Sequence, residues 1–407
     1  MRKREWIAVG LGVAAVAWGA NQFAPLLLLM YQTRSDVSAP MLQATYGLYA
    51  VGLIPGLFLG GPASDKHGRR RLVVAALVTS LLASVLLIIG GESLPWLFAG
   101  RLVAGMASGA AFSAGTAWIK ELSSGSERER NSGARRAAVA MTAGFAGGPL
   151  VAGLLAQWAP SPTVSAYVPH LALTALAIPL VARTRETRPA NLDAALWTPV
   201  RLNPEAARRF RAVVVPLAPW VFGASSVGLA YLPGLVRGHL GDGALLFGAV
   251  VTAVTMIAGI AVQPLARRVD RPAKPHLIAT SLGIVALGLL LSAGAVAVSQ
   301  PVLVAVGSAV LGAGYGCCLV CGLIEVQRMA GADDLARLTA AFQALAYLGF
   351  GVPYLLAVLE SRLPAPVLLV GLAALAVLTL LWTAWKGAKR GAPDRSPVRT
   401  ARCAACN

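Results

Sequence analysis

One acid and four basic side chains crowd into Gly61-Pro62-Ala63-Ser64-Asp65-Lys66-His67-Gly68-Arg69-Arg70-Arg71, a stretch that joins two long apolar runs. A carboxylate there can pair with an arginine or sit at the positive end of a following helix. The glycines permit a tight turn and close approach of the flanking segments. A second chemical feature is Arg101, inside an apolar run and followed by Gly105 and Gly109. An arginine at a helix centre costs about 2.5–3.5 kcal/mol on insertion scales, so it is normally kept for a partner or a pathway. A third is Glu325 with Arg328, an acid–base pair at the end of another apolar run. Buried nucleophile–base pairs, metal-ligand spacings and phosphate-binding loops are missing from the sequence. Gly312-Ala313-Gly314-Tyr315-Gly316 lies within an apolar span, where close helix packing accounts for it. The residues therefore point away from an enzyme, a metal centre or a bound cofactor.

The elements that must position these residues follow from composition. Of 407 residues 57% are hydrophobic and 13% charged, and the mean hydropathy is +0.69. Soluble domains carry roughly a quarter charged residues. Continuous apolar runs of about 20 residues specify spanning helices, not the alternating strands of a barrel. We read twelve helices, near 6–30, 41–62, 72–91, 95–118, 137–159, 166–183, 212–232, 244–264, 276–298, 301–325, 338–359 and 365–385. The apolar run from Trp6 to about Met30, after Arg2-Lys3-Arg4, is too long for a signal peptide and is read as the first retained span. The longest hydrophilic interior stretch divides the chain into a bundle at 1–183, a linker at 184–211, a second bundle at 212–386 and a tail at 387–407. Asn203-Pro204-Glu205 predicts a short surface helix leading into the seventh span.

The net charge of +18 lacks the interleaved aromatics of a nucleic-acid surface. With the N-terminus inside, nearly all of the 35 Lys and Arg residues fall on one side; Arg34, Arg237 and Arg362 lie opposite and Arg101 lies within a span. The positive-inside rule then puts both termini in the cytoplasm. Cys317, Cys318 and Cys321 are read as small apolar side chains. Cys403 and Cys406 are read as spare thiols of the tail, since a structural zinc needs four ligands.

The opening stretch resembles the signature loop of the major facilitator superfamily, G-x-x-x-D-x-x-G-R-R, with Gly61, Asp65, Gly68, Arg69 and Arg70 in its places. Arg101-x-x-x-Gly105-x-x-x-Gly109 is similar to the family's fourth-helix motif. Gly144-x-x-Gly147-Gly148-Pro149-x-x-Ala152-Gly153 resembles its fifth-helix antiporter motif, with Ala152 replacing one glycine. The resemblance implies an all-α membrane protein of two pseudo-symmetric six-helix bundles, near the drug:proton antiporter branch. It also implies a latch between halves at Asp65, a proton-transfer role for Arg101, and exchange of substrate for protons through Gly144, Gly148, Pro149 and Gly153. An echo of the loop in the second half, Pro264 to Arg271, is degenerate, with Arg267 in place of the acid and Asp270 in place of a glycine.

Polar and aromatic residues at mid-span depth are the candidates for a central cavity: Asn21, Gln22, Tyr46, Tyr49, Trp220, Ser226, Gln343 and Tyr347. No Asp or Glu falls mid-span in the first six helices, which argues against divalent organic cations as substrates. A proton carrier is left open among Glu325, Asp65 and an Arg101 paired with a substrate anion. His170 is expected near the outer surface. The expectation is a monomeric secondary transporter of a bacterial inner membrane, proton-coupled and exporting small amphiphilic or organic compounds. An importing facilitator or symporter, or a non-transporting scaffold or sensor, is the alternative.

Overall fold

The computed structural model describes residues 5–27, 37–91, 93–123, 127–193, 204–270, 276–330 and 334–388. Arg34, the linker's Arg201 and the tail thiols Cys403 and Cys406 lie outside the described residues. The chain is all-helical among these residues, and twelve helices are long and apolar enough to cross a membrane. They are α1 Glu5–Leu27, α2 Ala39–His67, α3 Arg69–Ile89, α4 Leu94–Ser123, α5 Arg135–Trp158 and α6 Pro162–Ala182. The second set is α7 Pro204–Leu235, α8 Gly241–Val269, α9 His276–Ala297, α10 Pro301–Met329, α11 Arg337–Leu359 and α12 Ala365–Lys386. Large apolar side chains remain exposed around the outside, Val302 at 71% and Leu176 at 65%, as hydrocarbon contact requires.

The irregularities fall where the sequence weakens helical bonding. α1 is interrupted by a turn at Gln22. α7 carries two π-helical segments, Phe210–Val214 and Val227–Tyr231, and α11 narrows to a 3₁₀ turn at Leu348–Gly351. The helix begun at Pro204 runs unbroken into α7, so the separate surface helix expected there is its first turn.

Within each half, small residues let backbones touch. A Cβ on Gly105 or Gly109 of α4 would strike the carbonyls of Tyr49 or Leu53 on α2. In the second half, Gly312 and Gly316 of α10 meet Thr255 and Gly259 of α8 in the same way. The halves meet along α2 with α11 and α5 with α8, pairs that interchange when the halves are swapped. Hydrogen bonds between the halves cluster at the end away from the termini. Gln43 Nε2 donates to Ala230 O at 3.0 Å, Gln157 Nε2 donates to Asp242 O, and Leu246 N donates to Gln157 Oε1 at 3.4 Å. An apolar cluster around Phe23, Leu42, Tyr46 and Tyr167 continues across this end into Leu229, Ala230 and Leu245.

Gly105→Val places a branched side chain against α2 backbone that no rotamer relieves. The expected loss is about 1–3 kcal/mol, read as a lower unfolding temperature in detergent, whereas Gly283→Ala, with open space around its Cβ, leaves that temperature unchanged.

Candidate functional site

The signature stretch is a turn of one residue. α2 continues through Pro62 and Asp65 to His67, and α3 starts at Arg69, leaving Gly68 alone with φ 94°. Only glycine holds that angle without strain. The exposed N–H groups of α3 are met by Glu186, from the chain beyond α6, whose carboxylate accepts from Arg69 N at 3.0 Å and Arg70 N at 2.9 Å. Glu186 thus holds the helix-terminus position that Asp65 offered in the sequence. Asp65 instead pairs with Arg69 at 3.0 Å and Arg188 at 3.3 Å, in ion-pair rather than hydrogen-bond geometry. The buried Arg69 also donates to Glu121 of α4 at 3.1 Å and to Ser64. These ion pairs join α2, α3, α4 and the linker of one half. The side chain of Arg70 points outward, and Gly61 packs against Ser113 of α4.

The other half has its own cluster at the same end. Glu325 of α10 accepts from Arg209 at 2.7 Å and Arg328 at 3.1 Å, and Arg328 reaches Asp270 at 2.7 Å. Asp270 is the residue that stands in the degenerate echo of the loop.

Arg101 is the chemically unusual residue. Two turns into α4, its side chain is 1% exposed and does not reach the membrane surface. Its Nε donates to Thr45 O at 3.3 Å, Nη1 to Ala20 O at 3.1 Å and Nη2 to Tyr46 O at 3.3 Å. Its carbon sits 4.8 Å from the ring centroids of Phe23 and Tyr49 and 5.8 Å from that of Tyr46. Such faces stabilise a desolvated cation. Those tyrosines open onto a row of rings that crosses between the halves. Tyr46 stacks on Phe350 at 5.1 Å, Phe350 lies 5.2 Å from Phe222, and Phe222 stacks on Tyr347 at 4.2 Å. Tyr315 flanks Phe222 at 5.5 Å.

Of the predicted cavity residues, the structure brings Tyr46, Tyr49 and Tyr347 together in this seam. Asn21 and Gln22 are bonded within the first half, to Phe145 O at 2.8 Å and Ser84 at 3.1 Å. Trp220 turns away from the seam and donates to Thr379 of α12 at 3.2 Å. Ser226 donates to Gly349 O at 3.1 Å beside the 3₁₀ turn, and Gln343 is half-buried on α11. Gly144 and Gly148 of α5 pack on Ala14 and Trp18 of α1, whereas Gly153, beyond the in-helix Pro149, packs on Ala249 of the other half.

The sequence matches the profile of the Major Facilitator Superfamily over residues 7–353. The chain belongs to that superfamily. It is a multi-pass membrane protein. It is 26% identical over 204 residues to the triacylglyceride transporter of Mycobacterium tuberculosis (strain H37Rv), a match covering 47% of this chain and 39% of that one. The match thus spans about two fifths of the length of that curated relative. Among solved structures it resembles a D-xylose–proton symporter (TM-score 0.72, 16% identity, 93% of this chain and 96% of that). It also resembles a peptide transporter (0.79, 13%, 95% and 94%) and the human organic anion transporter MFSD10 (0.65, 19%, 94% and 99%). At these identities the likeness is one of fold.

Within this superfamily fold, His170 corrects an expectation. It is fully buried in the first half, not at the surface, 2.8 Å from Ser84, 3.1 Å from Thr174 and 3.3 Å from Ser80. Gly19 of α1 leaves the space its ring fills. Sequence reasoning also missed Phe23 beside Arg101, Phe222, Tyr315 and Phe350 in the seam, and Glu121 at the loop; it read Glu186 only as part of a cytoplasmic salt-bridge cluster at the end of the sixth span. Phe350, three residues after Tyr347, carried a signal in its helical spacing; the capping of α3 by Glu186 carried none, because that contact crosses the fold.

Glu186→Ala exposes the α3 terminus and leaves Arg69 with fewer acceptors. We expect it to cost about 0.5–2 kcal/mol, the usual range for a lost helix cap, measured by thermal unfolding, with Glu186→Gln losing less.

Proposed function

We propose that this transporter exports small amphiphilic organic compounds in exchange for protons, working as a monomer in a bacterial inner membrane with both termini in the cytoplasm. The observation that carries the reading is the aromatic seam with Arg101 behind it. It lies where two internally rigid halves meet, and rings sliding on rings let such halves rock without breaking directional bonds. The small-residue contacts of Gly144, Gly148 and Gly153 around Pro149 support exchange over import, because they tie α5 to both α1 and α8. The apolar cargo named for the mycobacterial relative supports an amphiphilic substrate. The arginine-rich end supports the orientation.

In this reading Tyr46, Tyr49 and Tyr347 contact the substrate, and the one-residue hinge at Gly68, with Gly61, Asp65, Arg69 and Arg70, rearranges as the halves tilt. Coupling is assigned to Arg101, since the Glu325 carboxylate is engaged by two guanidinium groups.

Everted membrane vesicles test it. A panel of amphiphiles with cationic, neutral and anionic headgroups is added to a preformed acid-inside gradient read by a pH-sensitive dye. At least one member is expected to dissipate the gradient with the wild-type protein, and not with Arg101→Ala inserted at equal level. Accumulation of the same compound inside energised intact cells would establish import and overturn the proposal.

A further inference from the structure

A guanidinium has five N–H donors. Arg101 uses three on the carbonyls of Ala20, Thr45 and Tyr46. One N–H on each terminal nitrogen has no acceptor among the described residues, and those are the two nitrogens with which arginine grips a carboxylate in a paired fork. Three hydroxyls around it are also idle. Tyr46 Oη, Tyr49 Oη and Tyr167 Oη are buried without a hydrogen-bond partner among the described residues; the rings of Tyr46 and Tyr49 lie 5.8 and 4.8 Å from the guanidinium carbon, and Tyr167 packs in one apolar cluster with Phe23 and Tyr46. A buried cation without an anion, beside buried hydroxyls without partners, is an expensive arrangement in a low-dielectric interior. Among the described residues no carboxylate forms an ion pair with Arg101. Phe23, Tyr46 and Tyr49 cover the charge with ring faces, which attract a cation yet leave the fork unfilled.

We infer that Arg101, with the hydroxyls of Tyr46 and Tyr167, forms the receiving site for the carboxylate of an amphiphilic monocarboxylate. The apolar body of that ligand lies along the seam of Tyr46, Phe350, Phe222 and Tyr347. The inference rests on the reading of the seam as the substrate path, and it names the substrate's charge. In the present arrangement the stack of Tyr46 on Phe350 covers the site, so the anion enters when the halves part. No Asp or Glu is needed in the first six spans, because the ligand supplies the missing negative charge.

The test uses purified full-length protein and matched pairs of probes: 3-phenylpropionate and 4-phenylbutyrate, each against its own amide, with acetate and inorganic phosphate alongside. Binding is read by intrinsic fluorescence titration and by thermal shift. The phenyl acids are expected to bind the wild type at least about tenfold more tightly than their amides, about the discrimination of one charge-assisted hydrogen bond. Arg101→Lys, which keeps the charge and loses the fork, is expected to abolish most of that preference. The comparison of acid with amide needs only the wild type, so it stands even where the variant fails to fold. Equal binding of acids and amides overturns the inference. Equal binding of acetate or phosphate and the phenyl acids overturns the amphiphile assignment. A carboxylate preference in binding with no gradient dissipated in vesicles keeps this site and removes the transport reading. Dissipation by neutral amphiphiles with no carboxylate preference does the reverse.

Discussion

Arg101 places a guanidinium in a part of the bundle where it is 1% exposed and, among the described residues, meets no carboxylate, and the first half is arranged around it. Three carbonyl oxygens from α1 and α2 turn toward the guanidinium, and three aromatic faces close over it. Ala20, which supplies one of these carbonyls, lies two residues before the turn at Gln22 that interrupts α1. α2 offers two more because Gly105 and Gly109 bring its backbone hard against α4. The glycine stripe and the arginine are therefore one device: without the close approach, the carbonyls of Thr45 and Tyr46 would lie out of reach.

From that site the structure extends in two directions. Toward the other half, the rings that shield the cation pass their stacking on to Phe350, Phe222 and Tyr347, so the charged site and the interface share residues. Contacts of this kind are non-directional enough to slide, unlike the hydrogen bonds of Gln43 and Gln157 that pin the halves at the far end. Toward the arginine-rich end, each half ties its helices with its own carboxylate–arginine cluster. In both clusters an acid near the end of a long helix is held by an arginine. Rigidity inside each half and slippage between them are the two properties that rocking of one bundle against the other requires.

The polar network of His170, Ser80, Ser84, Thr174 and Gln22 is the second buried polar feature of the first half. The hydroxyls and the imidazole bond one another and Gln22 Nε2 donates to Ser84, whereas Gln22 Oε1 is buried without a partner among the described residues. Its placement against Gly19 and Gln22 puts it on the same short segment of α1 that serves Arg101. That segment is thus held by polar groups on both sides in a helix otherwise packed by methyl groups.

The sequence by itself determined the twelve spans, because hydrocarbon thickness fixes helix length and backbone hydrogen bonds leave no other spanning structure to an apolar run, and its signature loop pointed to the superfamily. It also marked Arg101, since a charge in such a run is conspicuous in any order of reading. Only the tertiary structure decided what that arginine touches and that Glu186 rather than Asp65 caps α3. It also decided that Trp220 faces α12 and that Phe350 and Phe222 complete the seam. Those outcomes depend on which helix faces meet across long sequence separations. Hydropathy is the same on every face of a lipid-embedded helix rich in Leu, Ala and Gly, so the pattern that reveals the spans carries little information about their rotation.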